Sequence, residues 1–424
     1  MRILVIANNA ISQYSNNGKT VYSFLKDIPI RDIAQLYFGA NEIPFLGGCE
    51  NFYRVTEFDI LKSIATFKFS TSNTHNSQTG TLATNKKSPN KKSSKKFNFL
   101  RKYSSKLPIF REGLWSLNTW DSQELNNWIQ QFKPTVIFSV LGDCIFTHKI
   151  AMKIAKRYDI PMYAFFTDDY VLNDLSTNIF QRIHYHNLKK IYVKSIAFAK
   201  KSFVIGEKMQ KAYRDYFKHD FGILVNGIDI EMFKKFNINK IVNNKPIIIS
   251  YIGGLHLNRW KTIVRLAQII NQQNEFNIEF KVFSVAIPDD SILQAFSRVG
   301  VSYCGSLNYE GVLKQMENSH FLLHIESFDE KDRLYTRYSI STKIPEYMMS
   351  KRGIIAFGPS DIASIEIFKD NNLGCVLTEM DTDEEIKNKV NQFIRLYNQY
   401  DFARQYEYAL KHFDQRKMLL SSIL

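Results

Sequence analysis

The sequence predicts an α/β protein made of two doubly wound domains, each a parallel sheet covered by helices. Apolar runs typical of buried strands alternate with amphipathic stretches typical of helices, a pattern that favours parallel strands joined by helical crossovers. The series stops near residues 230–245 and then begins again. A chain of 424 residues, of which 45% are hydrophobic, is long enough to bury two cores. We therefore expect two such domains facing one cleft.

The first domain is predicted to span residues 1–235. Apolar runs predict its strands at residues 3–7, 33–38, 136–140, 162–166 and 202–205. Patterns with a helical period predict helices at residues 124–132, 147–157 and 207–214. Together they indicate a Rossmann-like domain.

The second domain is predicted to span residues 236–424, with its last helix as a candidate to pack back on the first domain. Its predicted strands are residues 246–252, 279–285, 320–325, 354–357 and 374–377. Its predicted helices are residues 260–272, 309–316 and 383–397. Ligands of open parallel sheets bind beyond the carboxyl ends of the strands, so we expect the functional residues in the loops there.

Positive charge is concentrated in one stretch of the chain. The net charge is +15, and residues 60–111 contain twelve Lys or Arg and no Asp or Glu. The centre of this stretch, about residues 70–106, is too polar to bury a core and is predicted to be a mobile insertion. It could contact an anionic membrane surface or be a solvated loop without a partner. Nucleic acid is less favoured because aromatic residues are not interleaved with its lysine pairs.

Targeting signals and metal-binding spacings are not evident. No apolar run approaches the roughly 20 residues of a membrane-spanning helix, and the first residues lack the apolar core of a signal peptide. We therefore expect a cytoplasmic protein whose basic stretch could contact the inner face of the membrane. Its four cysteines are scattered without CxxC spacing, which predicts reduced thiols rather than a zinc site or a disulfide framework.

A short segment late in the chain carries the strongest functional signal. Residues 341–347 are typical of a loop followed by a short helix, and the apolar residues 354–357 follow as a buried strand. Lys343 and Glu346 are three residues apart and would share one helix face. Backbone N–H groups and an ammonium suit a diphosphate, whereas a carboxylate accepts hydrogen bonds from sugar hydroxyls. The segment therefore predicts a nucleotide-diphosphate site in the second domain.

The order of several short motifs resembles a known enzyme family. The motifs, in chain order, are a first loop containing Gly18, the pair Asp168-Asp169, the turn at residues 226–229, Gly253-Gly254-Leu255 followed by Arg259, and residues 343–347. In this order the chain resembles the GT-B glycosyltransferases of the family-4-like group, which build bacterial surface polysaccharides. The resemblance implies a hexosyltransferase that moves a sugar from a nucleotide-sugar donor to a glycan or lipid-linked acceptor. It also implies retention of configuration, with the nucleotide-sugar as co-substrate and no metal or other cofactor.

The resemblance also assigns roles to residues of the second domain. Arg259 and Lys343 would contact the donor diphosphate and neutralise the charge that develops on it. Glu346 would bind the ribose hydroxyls. The other candidate donor-binding residues are Gly18 of the first domain and Gly253, Gly254, Ser306, Leu307, Glu326, Ser341 and Thr342 of the second.

One position departs from the family pattern. Many members have a second Glu eight residues before the ribose Glu, but position 338 is Tyr. Either Glu326 takes over from the end of its strand, or backbone N–H groups of residues 339–342 do.

Other candidates have a structural alternative beside the functional one. Asp168 and Asp169 follow a strand and could activate an acceptor hydroxyl or cap the next helix. Gly18 could let the first loop approach a phosphate or the acceptor, with Thr20 opening a helix, or it could sit in a plain turn. The run Asp381-Thr382-Asp383 is better explained as a helix cap than as a metal site.

Two other functions remain open from the sequence. A nucleotide-sugar epimerase could share this architecture and would act on the donor alone. A non-catalytic scaffold could keep the fold and use the basic stretch to bind a partner or a membrane.

Overall fold

The computed structural model describes residues 1–13, 16–40, 44–66, 73–76, 108–242, 245–272 and 275–423. The chain forms two compact units, residues 1–224 with 419–424 and residues 225–418. The predicted boundary was residue 235. The predicted basic insertion at about 70–106 lies outside the described residues except for the strand at 73–76. Each unit is an α/β layer structure, and the predicted fold class is confirmed.

The first unit contains an eight-stranded sheet with the spatial order β4-β3-β2-β1-β5-β6-β7-β8. All neighbouring strands are parallel except the edge strand β4, which is antiparallel to β3. The strands are β1 (Ile3–Ala7), β2 (Ile33–Tyr37), β3 (Asn51–Arg54), β4 (Asn73–Asn76), β5 (Val136–Leu141), β6 (Met162–Phe166), β7 (Lys201–Val204) and β8 (Phe221–Ile223). The helices are α1 (Asn16–Leu25), α2 (Glu57–Thr66), α3 (Pro108–Ser116), α4 (Gln123–Phe132), α5 (Ile145–Tyr158), α6 (Ile179–Phe198), α7 (Glu207–Phe217) and α16 (Leu420–Ile423).

The second unit contains a six-stranded parallel sheet with the spatial order β11-β10-β9-β12-β13-β14. The strands are β9 (Ile247–Ile252), β10 (Ile278–Phe283), β11 (Val301–Tyr303), β12 (Phe321–Ile325), β13 (Gly353–Phe357) and β14 (Cys375–Leu377). The helices are α8 (Arg259–Asn271), α9 (Asp290–Arg298), α10 (Tyr309–Asn318), α11 (Glu330–Thr336), α12 (Ile344–Met349), α13 (Ala363–Asp370), α14 (Asp383–Leu396) and α15 (Ala403–His412). This strand order is that of doubly wound folds, in which the chain reverses direction across the sheet after the third strand.

The cores explain why these segments are strands. Every residue of β1, β2, β5, β6, β12 and β13 is buried. Continuous apolar runs of this kind suit parallel strands that are covered by helices on both faces, because no face is left for water. Among the described helices, none is long and apolar enough to cross a membrane.

The sequence analysis missed several elements. The 20-residue helix α6 was not predicted. Ile179, Phe180 and Ile183 near its N-terminus are apolar but exposed, so the apolar residues of this segment do not recur with the spacing of one buried helix face. The short strands β3 and β11 were also missed. By contrast, the helix cap predicted at residues 381–383 is confirmed, since Thr382 and Glu385 form a capping box at the start of α14.

Gly18 lies inside α1 and has a packing role. The prediction that Thr20 opens this helix was wrong, because the helix begins at Asn16. A Cβ built on Gly18 would lie 2.0 Å from the carbonyl oxygen of Ala10 and 2.9 Å from the backbone nitrogen of Ser12. The chain's own backbone therefore fills the space beside Gly18, and α1 can pack on the loop after β1 only without a side chain here.

His148 is a fully buried histidine of α5. Its Nδ1 lies 2.9 Å from Ser195 Oγ and its Nε2 lies 3.1 Å from the carbonyl oxygen of Gly142. Burial lowers the pKa of His148 to about 4, against the favourable effects of the Gly142 carbonyl and Asp143. The native state therefore holds a neutral ring over a pH range in which the unfolded chain would bind a proton.

We predict that Gly18→Ala lowers the free energy of unfolding by about 1–3 kcal/mol, because the new methyl group would overlap backbone atoms that cannot move cheaply. Gly113→Ala is a matched control, because Gly113 lies in α3 with no atom within 4 Å of its Cβ position. Gly113→Ala should raise the free energy of unfolding by up to about 1 kcal/mol, because Ala has a higher helix propensity than Gly. Urea denaturation measures both, and equal stability of the two variants would contradict this account of Gly18.

We also predict that the first unit loses stability as the pH falls from 6.5 towards 4. The unfolded chain takes up a proton at its ordinary histidine pKa, whereas folded His148 does not, which amounts to about 2 kcal/mol between pH 7 and pH 5. Urea denaturation followed by tryptophan fluorescence measures this, since Trp115, Trp120 and Trp128 lie in the first unit. His148→Gln should flatten the pH dependence, and His186→Gln, at an exposed site on α6, should not. A full pH dependence in His148→Gln would refute the assignment.

Candidate functional site

The candidate site of the second unit lies where the strand order reverses. β9 and β12 are neighbours in the sheet, and the connections that follow them lead in opposite directions. Gly253-Gly254 follows β9 directly, and Glu326 follows β12 directly. Parallel strands end at one edge, so segments more than 60 residues apart in sequence meet there.

Arg259 and Glu326 form an ion pair at this edge. The Arg259 Nη2 donates to Glu326 Oε2 over 2.9 Å, and its Nε donates to the same oxygen over 3.3 Å. The exposed fractions of the two side chains are 16% and 5%. Burial disfavours the charged guanidinium, but the Glu326 carboxylate, together with Tyr251 and Asp332, acts in the opposite direction, and the pKa of Arg259 is raised. Because a pair this buried is weakly screened, it holds Arg259 in a fixed orientation.

The surroundings of Glu326 fix the carboxylate in turn. Ser364 Oγ donates to Glu326 Oε1 over 3.3 Å, and Thr262 Oγ1 donates to the Glu326 carbonyl oxygen over 3.0 Å. A Cβ on Gly358 would lie 2.8 Å from the Cβ of Glu326. The chain after β13 can therefore lie this close to Glu326 only because residue 358 has no side chain. Glu326 follows the end of β12, the position from which the sequence analysis had it enter the site, and its contact with a donor sugar stays a prediction.

Lys343 reaches the glycine turn from another loop. A Cβ built on Gly253 would lie 2.8 Å from Lys343 Nζ and 2.9 Å from Tyr251 Oη. The Tyr251 hydroxyl donates to the carbonyl oxygen of Gly254 over 2.6 Å, which braces the turn. The structure thus brings three of the predicted residues together, namely Gly253, Gly254 and Lys343.

Lys343 stands at the start of α12, and Glu346 lies within its first turn. The residues before the helix support this start: the Ile344 N–H donates to the Ser341 carbonyl over 3.1 Å, and Asn226 Nδ2 donates to the Thr342 carbonyl over 3.4 Å. Ser341 Oγ accepts from the Lys343 N–H over 3.4 Å.

Glu346 is 5% exposed and has a tyrosine partner. Tyr309 Oη, on the first residue of α10, donates to Glu346 Oε1 over 3.2 Å. The loop before α10 carries the predicted residues Ser306, which is exposed, and Leu307, which is half-buried. The structure places this loop next to the carboxylate through Tyr309.

The arrangement can bind a polyanion beside a polyhydroxyl group. Arg259 and Lys343 supply two cations from segments that are distant in sequence but close in space. Glu346 supplies an acceptor for hydroxyls. Among the described residues, no group of three or more His, Cys, Asp or Glu side chains is placed to hold a metal ion.

In the first unit, Asp169 and Asp168 have different surroundings. The Asp169 carboxylate oxygen Oδ1 accepts from the N–H groups of Val171 and Leu172, both over 3.1 Å, and from Tyr213 Oη over 3.1 Å. Burial raises the pKa of Asp169, and these three donors counteract it. Asp169 therefore stabilises the turn after β6, while Asp168 is half-buried at the same sheet edge. The role predicted for either residue with an acceptor stays a prediction.

Gly18 makes the backbone contact described above, and its predicted role near a phosphate or the acceptor stays a prediction. Its neighbour Asn17 joins α1 to the loop after β6, because Asn17 Nδ2 donates to Thr167 Oγ1 over 3.2 Å. This hydrogen bond brings the first loop and the Asp168-Asp169 segment to one edge of the sheet.

Sequence reasoning missed three residues of the site in the second unit. They are His256, Tyr309 and Ser364. Two of them could have been found from the sequence. His256 lies three residues before Arg259, and Tyr309 begins a predicted helix. Ser364 could not be found from sequence, because only the sheet order brings α13 to Glu326.

Comparison with solved structures shows likeness over the whole chain. The lipopolysaccharide outer core galactosyltransferase WaaB is 12% identical with a TM-score of 0.60, and the likeness covers 100% of each chain. A glycosyltransferase from Rickettsia africae is 11% identical with a TM-score of 0.60, covering 100% of this chain and 97% of the other. An α,α-trehalose-phosphate synthase (UDP-forming) from Burkholderia xenovorans is 10% identical with a TM-score of 0.61, covering 100% and 99%.

Sequence comparisons gave no match. No protein-family model matches the chain, and no curated protein is significantly similar to it. At 10–12% identity the structural likeness establishes the fold alone. The chain has the GT-B fold that the sequence predicted.

Proposed function

We propose that this protein is a metal-independent glycosyltransferase that moves a sugar from a nucleotide-sugar donor to a glycan or lipid-linked acceptor. The observation that carries the proposal is the meeting of Arg259, Lys343 and Glu346 around the glycine turn at the carboxyl edge of β9. The fold supports it, because solved structures with glycosyltransferase titles share it along the whole chain.

The chemistry of glycosyl transfer explains why two cations are useful here. As the bond between the sugar and the diphosphate breaks, negative charge grows on the departing diphosphate and the anomeric carbon becomes oxocarbenium-like. An ammonium and a fixed guanidinium offset that charge without a metal. Arg259 is already oriented by Glu326, so it needs little reorganisation when the charge develops.

Recognition of the nucleotide part falls to Glu346. A carboxylate that is 95% buried and held by Tyr309 is preorganised to accept from the two ribose hydroxyls. The loop containing Ser306 and Leu307 lies next to it and would contact the base. UDP is a reasonable first donor nucleotide to test, since one neighbour is titled a UDP-forming synthase.

The acceptor side of the proposal belongs to the first unit. Asp168 is the candidate to orient an acceptor hydroxyl, because the neighbouring Asp169 is engaged in the turn. The basic stretch at residues 60–111 would contact anionic lipid at the cytoplasmic face of a membrane and so give access to a lipid-linked acceptor. Retention of the anomeric configuration completes the proposal, and NMR of the product tests it.

An acceptor-dependent assay separates this function from the alternatives. UDP-, GDP- and dTDP-linked hexoses are incubated with the full chain, with and without lipid-linked glycans from bacterial membranes, and released nucleoside diphosphate is measured. A transferase releases it faster when the acceptor is present. Isomerised donor without an acceptor would identify an epimerase, and neither turnover nor binding would identify a scaffold.

We predict that Lys343→Ala weakens binding of the nucleoside diphosphate by about 10- to 100-fold, because a hydrogen bond to a charged group is worth about 1.5–3 kcal/mol. Glu346→Gln should weaken binding of a nucleoside diphosphate but not of inorganic pyrophosphate, which has no ribose. Lys314→Ala is the matched control, since it removes one exposed lysine from α10 of the same unit. Isothermal titration calorimetry measures the affinities.

Thermal unfolding of each variant accompanies these titrations, so that a lost fold is not read as lost binding. The assignment is wrong if Lys343→Ala, while folded, binds the diphosphate as tightly as Lys314→Ala does.

A further inference from the structure

His256 stands on the glycine turn beside the two proposed diphosphate ligands. Its Nε2 lies 3.4 Å from Arg259 Nη1. The side chain is exposed, in the loop between β9 and α8, where a ligand at the carboxyl edge of the sheet would reach it.

The imidazole of His256 occupies the space that a side chain at residue 254 would fill. A Cβ built on Gly254 would lie 2.4 Å from His256 Nδ1 and 2.5 Å from its Cε1, so the ring lies directly over the Gly254 backbone. Gly253 does the same for Lys343, whose Nζ would lie 2.8 Å from a Cβ there. The two glycines thus leave room for two basic side chains beside the same turn.

The charges around His256 come from four groups. Arg259 on α8 and Lys343 before α12 are cations, while Glu326 after β12 and Asp332 on α11 are carboxylates. Partial burial of the ring lowers the pKa of His256, the two cations lower it further, and the two carboxylates act in the opposite direction. The net direction is downwards, which favours the neutral ring in the ligand-free protein.

Both carboxylates already have partners that share their charge. Glu326 is bound by Arg259, and Asp332 Oδ2 accepts from Asn258 Nδ2 over 2.9 Å and from Ser327 Oγ over 3.2 Å.

We propose that His256 is a third ligand of the donor diphosphate and that it takes up one proton from solvent when the diphosphate binds. This inference rests on the proposed function, because it requires a diphosphate at the same turn. No bond between heavy atoms forms or breaks: a proton supplied by solvent or buffer forms a new N–H bond at the ring nitrogen that carries a lone pair, and that N–H donates to a phosphate oxygen.

Electrostatics gives the direction of the change. A diphosphate places two or more negative charges within reach of the ring, and a nearby opposite charge favours the protonated imidazole. By linkage, the affinity for the donor must then rise as the pH falls through the pKa that His256 has in the complex.

The experiment is calorimetric titration at pH 7.0 in buffers of different ionisation enthalpy. The probe is a nucleotide-sugar, whichever of UDP-glucose, GDP-mannose and dTDP-glucose binds, because its diphosphate lacks the terminal phosphate group that titrates near pH 6. The slope of the measured enthalpy against the ionisation enthalpy of the buffer gives the protons taken up. We expect an uptake of up to about one proton per site, since one imidazole titrates.

Three variants are matched to this measurement. His256→Gln should abolish the uptake and weaken binding by about tenfold or more, because a hydrogen bond between charged groups is lost. Gly254→Ala should reduce the uptake as well, because its methyl group displaces the ring and leaves Arg259 and Lys343 in place. His186→Gln, at an exposed site on α6 of the other unit, should behave as the unchanged protein.

The outcomes separate the two proposals. Binding without proton uptake, or an uptake that persists in His256→Gln, overturns the role of His256 and leaves the proposed function standing. Failure of all three nucleotide-sugars and of UDP, GDP and dTDP to bind overturns both. Uptake that is lost in His256→Gln and kept in His186→Gln supports the inference.

Discussion

The buried ion pair between Glu326 and Arg259 is the interaction on which the candidate site depends. It joins the end of β12 to the start of α8 at the point where the strand order of the second sheet reverses. Two charges with exposed fractions of 16% and 5% would be costly to bury separately, and each makes the burial of the other tolerable. The pair therefore fixes a guanidinium beside the glycine turn even before any ligand arrives.

That pairing also sets the charge of the turn. Glu326 offsets the charge of Arg259, and Lys343 contributes a second cation at the same turn. The lowered pKa of His256 favours its neutral ring in the ligand-free protein, and a neutral ring adds no repulsion to the two cations. The same ring can become cationic once an anion is present, which makes the charge of the turn responsive to its occupant.

Much of the fold could be predicted from sequence, because buried parallel strands are continuous apolar runs. β1 and β6 were predicted with their exact bounds, and the glycine turn and Glu326 were identified at strand ends where parallel sheets bind ligands. The partners could not be predicted. The Arg259 to Glu326 pair and the Tyr309 to Glu346 hydrogen bond join residues far apart in sequence, and only the sheet order brings them together.

Glycines show most clearly what sequence alone leaves undecided. A glycine in a loop after a strand indicates that something approaches the backbone closely, but not what approaches it. At Gly18 the neighbour is the backbone of Ala10, so the residue serves packing. At Gly253 and Gly254 the neighbours are the ends of Lys343 and His256, which are side chains able to move. A glycine that makes room for rigid backbone is structural, whereas one that makes room for a titratable side chain at a sheet edge leaves that side chain available for chemistry.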